Sequence, residues 1–196
     1  MTLQEQFGPI DIYLFDQLLK GRITPQMRIL DAGCGGGRNL VYLLREGFDV
    51  YGVDSEPQAI AAIRGMVPRL ADHFRAEAIE AMSFSDAFAD VVLSSAVMHF
   101  ARDDHQFQAM LGGMWRVLKP GGMLFCRLAS SIGIESQIVP IDGRRHHLPD
   151  GSERYLVDEA MLVKLTRELG GSLIDPIKTT VVQDQRSMTT WVVRKH

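Results

Sequence analysis

Residues 29–40 read ILDAGCGGGRNL, an apolar stretch that ends in an acidic residue and continues into a run of glycines. Four of the five residues from 33 to 37 are glycines, which let the backbone turn sharply and approach a bound molecule closely. We expect a buried strand to end near Asp31 and a helix to begin near Arg38. Because ligands of open α/β sheets bind at the carboxyl ends of the strands, this stretch predicts a binding site.

Strand-like and helix-like segments alternate over the first two thirds of the chain. The strand-like segments are Arg28–Asp31, Asp49–Asp54, Asp90–Ser95 and Met123–Leu128, with two further extended runs at 177–183 and 188–194. The helix-like segments are Ile10–Lys20, Pro57–Leu70, Asp104–Leu118 and Asp158–Leu169. This alternation predicts an α/β fold. We expect a doubly wound Rossmann-like sheet that is mostly parallel, with an antiparallel C-terminal strand and helices on both faces.

One domain is expected over residues 1–196, with residues 1–22 as an N-terminal helical cap. Residues 130–155 interrupt the alternation with an insertion that is too long for an ordinary connection. Within it, LPDGS at 148–152 has the proline and glycine pattern of a tight turn. We therefore predict an inserted hairpin over one end of the sheet. Two interpretations remain open, a lid over the binding site and an insertion without function.

The composition narrows the class of protein. The 196 residues carry a net charge of −3, which disfavours nucleic-acid binding through phosphates. The two cysteines lie far apart and form no CxxC pair, which argues against a disulfide framework or structural zinc and fits a reducing compartment. The sequence has no leader-like N-terminus and no apolar run of the ~20 residues needed to cross a bilayer. We expect a cytoplasmic protein without nucleic-acid or membrane partners.

Two classes of ligand compete for the glycine loop. A dinucleotide loop requires G-x-G-x-x-G, but Arg38 stands where the last glycine is needed, and Asp31 would lie close to a phosphate. These features disfavour a nicotinamide-dependent oxidoreductase. Asp54 ends the stretch YGVD about twenty residues beyond the loop, where a carboxylate accepts hydrogen bonds from ribose hydroxyls. A nucleoside with cationic groups and no phosphates therefore fits the pattern best.

Four segments, ILDAGCGGG, VYGVDSEP, FADVVLSSAVMHF and RVLKPGGMLF, resemble in their order the class I S-adenosylmethionine-dependent methyltransferases over residues 28–127. GRNLVYLLREGFDV and SSAVMHF also resemble a small-molecule branch that includes tellurite-resistance-type methyltransferases. The resemblance implies S-adenosylmethionine as cofactor, S-adenosylhomocysteine as product and a small-molecule acceptor. The residues expected at the cofactor are Asp31, Gly33, Cys34, Gly35, Arg38, Asp54, Ser55, Glu77, Ala78 and Ser95.

Three of these positions carry open alternatives. The family usually has an acidic residue near adenine after the third strand; here the acid is Glu77, while Ala78 stands at the aligned position. Arg38 is expected either to pair with a carboxylate of cofactor or substrate, or to be a solvated helix residue. Cys34 is interpreted as a small packing residue rather than a nucleophile, because no histidine partner is evident.

Methyl transfer requires alignment of the reacting atoms and exclusion of water, and a general base only when the acceptor is neutral. His99, in SSAVMHF, is the candidate base, with packing or substrate contact as alternatives. The residues expected near the acceptor are Tyr13, His99, Arg144, Arg145 and His147. The basic run at 144–147 has two open interpretations, attraction of an anionic acceptor and a solvated run of charges. It contains two adjacent histidines without a third ligand at a recognisable spacing, so no metal site is expected.

Two other functions were weighed. A non-catalytic subunit that binds S-adenosylmethionine would carry the same glycine loop, and this alternative remains open. A nucleic-acid methyltransferase is disfavoured by the acidic charge balance and by the absence of a basic arm. Enzymes that methylate exocyclic amines resemble NPPY or DPPY after the fourth strand, where this chain has SSAV.

Overall fold

A computed structural model of the chain describes residues 2–196. Its strands are β1 (Arg28–Ala32), β2 (Asp49–Asp54), β3 (Phe74–Ala76), β4 (Ala89–Ser95), β5 (Leu118–Ala129), β6 (Val139–Asp142), β7 (Arg145–His147), β8 (Glu153–Tyr155), β9 (Gly171–Leu173), β10 (Lys178–Val182) and β11 (Arg186–Lys195). Its α-helices are α1 (Leu3–Phe7), α2 (Ile12–Leu19), α3 (Val41–Arg45), α4 (Pro57–Met66), α5 (Asp104–Val117) and α6 (Glu159–Glu168). Short 3₁₀ helices cover Pro68–His73, Ile79–Ala81 and Met98–Phe100.

The main sheet has the strand order β10-β11-β5-β4-β1-β2-β3, and β9 pairs with β11. Strands β1 to β5 are parallel, whereas β11 runs antiparallel to β5 and β10 antiparallel to β11. The predicted fold class is confirmed. Because the chain order reverses between β1 and β4, the carboxyl ends of these two strands border a crevice.

Apolar side chains project from both faces of the central strands, because successive residues of a strand point to opposite faces. Ile29 of β1 belongs to one buried cluster and Leu30 to the other. Strand β4 repeats this pattern with Val91 and Val92. The sheet therefore separates two cores, and this explains why its strands read as continuous apolar runs.

The long helices follow the predicted apolar spacing. The residues that bury one face of α5 are Phe107, Met110, Leu111 and Met114. The helix predicted over Pro57–Leu70 ends earlier, at Met66, because Pro68 disfavours helical geometry at the residue before it. The next turn continues as a 3₁₀ helix, so Leu70 still packs against the same core.

Two local predictions are corrected in the first half of the chain. The helix expected near Arg38 begins at Val41, because the loop continues through two turns in which the amides of Gly37 and Leu40 donate to the carbonyls of Cys34 and Gly37, each at 2.9 Å. Strand β3 was not among the predicted segments. It has three residues, too few for an apolar period to be recognised.

The insertion forms a small antiparallel sheet of three strands, β6-β7-β8, rather than a hairpin alone. Strands β7 and β8 are the predicted hairpin, and the LPDGS turn joins them. Leu148 of that turn is buried against Ala129 at the end of β5 and Leu156. This contact fixes the turn over the carboxyl end of the main sheet.

The predicted N-terminal cap contains two helices, α1 and α2, and its first residue, Met1, lies outside the described residues. No helix among residues 2–196 combines the length and apolar character that crossing a membrane requires.

Candidate active site

The glycine loop is held against the second strand by its own backbone. The amides of Gly33 and Cys34 both donate to the Val53 carbonyl, at 2.8 and 2.9 Å. Gly33 has a φ of +88°, and a Cβ at this position would lie 2.4 Å from the Val97 side chain. A residue with a Cβ would be strained by this left-handed backbone and would overlap the Val97 side chain, so this position requires glycine.

Asp54 closes the loop from the end of β2. One carboxylate oxygen accepts the Gly35 amide at 2.8 Å, and the other accepts the Glu56 amide at 2.9 Å. Each carboxylate oxygen accepts more than one hydrogen bond, so capacity remains for a ligand. The backbone thus orients Asp54 before any ligand binds.

A cavity of about 680 Å³ opens at this edge of the sheet, within the range of small-molecule sites. The predicted cofactor residues that line it are Gly33, Arg38, Asp54, Ser55, Ala78 and Ser95. Eight further lining residues, not anticipated from the sequence, are Ile79, Glu80, Ala96, Val97, Phe100, Arg102, Gln106 and Met110. Phe100 and Arg102 closely follow the carboxyl end of β4, where ligands of such sheets bind, so their position in the sequence could have identified them as lining residues.

Asp31 lies beside the loop and is 1% exposed. Its Oδ1 atom is buried and has no hydrogen-bond partner among the described residues. Burial raises the pKa of the Asp31 carboxyl to about 7; Arg38 lowers this pKa and Asp54 raises it. A buried carboxylate without a partner is costly, and a cation bound nearby would offset that cost.

The acidic residue expected near adenine is engaged elsewhere. Glu77 accepts hydrogen bonds from the amide and the hydroxyl of Ser83, at 2.8 and 2.6 Å, and does not line the cavity. Ala78 does line it, and so does Glu80, which accepts from the Gln106 side chain at 3.0 Å. The sequence contains both glutamates, but a short 3₁₀ turn decides which one reaches the cavity, and no periodicity reveals such a turn.

A chain of polar contacts leads away from the cavity. Arg38 donates to the Ser95 hydroxyl at 3.2 Å, and this hydroxyl donates to Asp11 at 3.3 Å. Asp11 also forms an ion pair with Arg127 at 3.3 Å. Arg38 and Ser95 are therefore linked to the start of α2 and to β5.

Cys34 is a packing residue in this structure. The side chain is 4% exposed, and a Cβ added to Gly52 on the neighbouring strand would lie 2.9 Å from its sulfur. Burial raises the pKa of the Cys34 thiol, so the thiolate is disfavoured.

His99 is buried in the 3₁₀ turn that follows β4. Its Nδ1 atom accepts the Ala129 amide at 3.2 Å, so the neutral ring carries its proton on Nε2. Burial, together with the charges of Arg154 and Arg127, lowers the pKa of the imidazole to about 4. This geometry makes His99 a hydrogen-bond donor through Nε2 and gives no support to a general-base role.

His99 lines a second cavity, of about 280 Å³, which adjoins the first at Ala96. The basic residues expected at the acceptor do not reach either cavity. Arg144 pairs with Asp158 at 2.9 Å, and Arg145 pairs with Glu153 at 2.9 Å. His147 lies 3.5 Å from the same glutamate. The charges of this run are thus balanced within the insertion and at the start of α6.

Tyr13 lies behind the second cavity rather than in its wall. Its hydroxyl bonds to that of Thr180, and the Arg127 guanidinium lies 5.4 Å from its ring centroid. Tyr13 therefore supports Arg127, which does line that cavity. Within residues 2–196, no three His, Cys, Asp or Glu side chains are grouped to hold a metal ion.

A doubly wound sheet, a glycine loop after β1 and an acidic residue at the end of β2 define a nucleoside-binding α/β domain. Residues 30–126, about half of the chain, match a family described as methyltransferase domain. The chain belongs to the class I S-adenosylmethionine-dependent methyltransferases.

Two curated relatives and one solved structure illustrate the similarity. The chain is 37% identical over 101 residues to an uncharacterized methyltransferase of Synechocystis, covering 52% of this chain and 46% of the relative. It is 33% identical over 158 residues to a ubiquinone biosynthesis O-methyltransferase of Maricaulis maris, covering 77% of this chain and 61% of the relative. The chain thus spans roughly half the length of these relatives.

The solved structure is 1,6-didemethyltoxoflavin-N1-methyltransferase of Burkholderia thailandensis, with its substrate and S-adenosylhomocysteine bound. The two chains superpose with a TM-score of 0.71 at 20% identity, over 96% of this chain and 79% of the other. The shared fold is that of the class I methyltransferases. The narrower resemblance to tellurite-resistance-type enzymes stays a prediction.

Proposed function

We propose that this protein transfers a methyl group from S-adenosylmethionine to a small, anionic acceptor. The observation that carries the proposal combines two carboxylates: Asp54 lines the cavity and is held by two backbone amides, and Asp31, buried beside the glycine loop, has a carboxylate oxygen without a hydrogen-bond partner among the described residues. The two free, buried cysteines, Cys34 and Cys126, fit a reducing compartment, and we place the activity in the cytoplasm.

The residues present fit this cofactor. The cofactor contains a ribose with two hydroxyls and two positive centres, a sulfonium and an ammonium. Asp54 has acceptor capacity for the hydroxyls, and Asp31 is a buried carboxyl group whose Oδ1 has no hydrogen-bond partner within residues 2–196. Arg38 lines the same cavity and provides a cation for the carboxylate of the methionine part. The protein thus offers an anion for the positive centres, a cation for the carboxylate and a hydrogen-bond acceptor for the ribose.

Other wall residues have supporting roles. Ser55 and Ala78 follow β2 and β3 and line the side of the cavity that we assign to adenine. Glu80, in place of Glu77, is the acidic side chain available there. Ser95 positions Arg38, and Cys34 keeps the glycine loop close to β2.

Bound S-adenosylmethionine supplies an electrophilic methyl group on a positively charged sulfur. The protein contributes alignment of the acceptor with that group and exclusion of water from the two adjoining cavities. His99 donates a hydrogen bond through Nε2 and takes up no proton, because its other nitrogen accepts the Ala129 amide. The mechanism therefore relies on positioning and on an acceptor that is already nucleophilic.

Titration calorimetry with S-adenosylmethionine, S-adenosylhomocysteine and NAD tests the cofactor assignment. We expect binding of the first two and none of NAD. Asp54→Ala should weaken binding by about 1–3 kcal/mol, roughly 5- to 150-fold, because a charged hydrogen-bond acceptor is removed. Asp72→Ala, on an exposed 3₁₀ turn, is the matched control and should bind normally. Binding of NAD alone, or equal affinity in both variants, would contradict the proposal.

A further inference from the structure

The second cavity is built at the carboxyl end of the sheet by three distant parts of the chain. The end of β5, the start of β11 and the turn between β7 and β8 contribute most of its wall. Ala96 lines both this cavity and the larger one, and its backbone φ of +64° is left-handed. A molecule in the smaller cavity is therefore a direct neighbour of a molecule in the larger one.

Three guanidinium groups line this cavity, those of Arg127, Arg154 and Arg186. None of the ion pairs formed among residues 2–196 involves Arg154 or Arg186. Arg154 donates to the Glu153 carbonyl and lies 4.8 Å from the Phe100 ring centroid. Two cations of the wall thus form no direct ion pair among the described residues, and Asp150 is the carboxylate close enough for their charges to lower its pKa.

The nearby carboxylates do not cancel this charge. Arg127 is paired with Asp11, yet its Nε atom is buried and has no partner in the described part of the chain. Asp150 is the acidic residue of the cavity wall, and its Oδ1 accepts both the amide and the hydroxyl of Ser152. Three cations against two carboxylates leave one positive charge, so the cavity favours an anion.

The wall also provides no basic nitrogen for a neutral acceptor. His99 accepts the Ala129 amide through Nδ1, which leaves the Nε2 proton as the group available to a ligand. The other side chains of the wall are serines, methionine and aliphatic residues, apart from Asp150 and the arginines. An acceptor whose nucleophilic atom is already deprotonated can react here without a base.

We propose that the second cavity is the acceptor site, and that the acceptor is a small anion whose charged group is held by Arg154 and Arg186. The proposal rests on the proposed function. It moves the anion-binding role from the basic run at 144–147 to arginines at two other places in the chain. The volume of about 280 Å³ suits a compact acid better than a long-chain molecule.

The methyl transfer to such an anion needs no base. A bond forms between the acceptor's anionic atom and the methyl carbon as the carbon–sulfur bond breaks, and the bonding pair stays on sulfur. The positive charge of the sulfonium and the negative charge of the acceptor atom disappear together, and no proton moves.

The test uses protein saturated with S-adenosylhomocysteine and three small acids, benzoate, salicylate and thiosalicylate, each compared with its neutral amide. Titration calorimetry should show at least one acid binding tenfold or more tightly than its amide. The double variant Arg154→Gln/Arg186→Gln should lose at least tenfold in affinity for that acid and none for the amide. Arg144→Gln, which removes an arginine outside both cavities, is the matched control and should bind as the unaltered protein does.

Melting temperatures and S-adenosylhomocysteine affinity are measured for every variant, and both should be unchanged. If no acid exceeds its amide, or if Arg144→Gln loses as much as the double variant, the acceptor assignment is overturned. Failure of every protein to bind S-adenosylhomocysteine would instead overturn the proposed function. The two results are distinguishable because the cofactor titration does not depend on any acceptor.

Discussion

Asp31 shows at the level of one residue how binding and stability oppose each other. It is buried, one of its oxygens has no partner in the described structure, and its carboxyl carries a raised pKa. Such a group destabilises the folded chain when it is ionised, since the unfolded chain hydrates the charge. The position makes sense if a bound cation offsets the cost.

The sign of the pH dependence follows from the raised pKa. The unfolded carboxyl titrates at 3.8 and the folded one at about 7, so folding is most favoured at low pH and this contribution is lost as pH rises through 7. Asp31→Asn should therefore stabilise the unliganded protein at pH 8 by up to about 4 kcal/mol, with a smaller gain at pH 5. Urea unfolding at both pH values measures this difference. An equal effect at both would contradict it.

The same variant should lose affinity for S-adenosylmethionine, because the anion that complements the ligand is gone. We expect a weakening of about 1–3 kcal/mol by titration calorimetry at pH 8. Asp72→Asn, on the exposed turn, is the control for both measurements. A variant that gained stability and kept full affinity would show that Asp31 does not serve the cofactor.

At the level of elements, Asp11 connects a helix to the site. Its side chain caps α2 by accepting the Tyr13 amide at 2.9 Å, and it also contacts Ser95 and Arg127. The N-terminal helices are thus joined to the ends of β4 and β5 by one buried carboxylate. Its removal affects a cap and an ion pair together.

Asp11→Ala should destabilise the fold by about 2–4 kcal/mol, the sum of a lost cap and a partly buried guanidinium left unpaired. Asp103→Ala removes a cap at the start of α5, where Asp103 accepts the Gln106 amide at 2.7 Å, and should cost about 1 kcal/mol. Chemical unfolding gives the free energy of unfolding of both variants, and the difference between their losses is the contribution of the ion pair. Equal losses would show that the ion pair contributes nothing.

The elements also show which features the sequence could predict. The strands around β1, the glycine loop and the acidic residue at the end of β2 were expected, because they follow from local patterns of apolar residues, glycine and acid. The hydrogen bond from the Gly35 amide to Asp54 was not expected. Three further features were not predicted: the start of α3, the strand β3 and the choice of Glu80 over Glu77. Each of them depends on a turn or strand of only three or four residues. The arginines of the second cavity lie 27 and 32 residues apart along the chain, and only the folded sheet brings them together.

At the scale of the whole molecule, His99, which lines the second cavity, makes the free energy of unfolding depend on acid pH. The pKa of His99 is about 4 in the folded chain, below the ordinary 6.5, so its contribution to stability is present above pH 6.5 and lost as pH falls through 4. His99→Gln should make the loss of stability between pH 7 and pH 4 smaller by about 3 kcal/mol, because glutamine does not titrate. The glutamine side-chain amide still provides one hydrogen-bond acceptor and one donor group. Urea unfolding at pH 7 and pH 4 measures it.

His105→Gln, on the exposed side of α5, is the matched control and should follow the pH dependence of the unaltered protein. If His99→Gln follows it too, the imidazole is not buried in a neutral form.

The two cavities come from different stretches of the polypeptide. Every residue that lines the larger one lies between positions 33 and 110, inside the region shared with the methyltransferase family, which ends at 126. Apart from Ala96 and His99, the wall of the smaller one begins at Arg127 and continues to Met188. Substitutions in the C-terminal third of the chain can therefore change the chemistry of the smaller cavity without altering any residue that lines the larger one. A relative's substrate is therefore a poor guide to the ligand of this chain's smaller cavity.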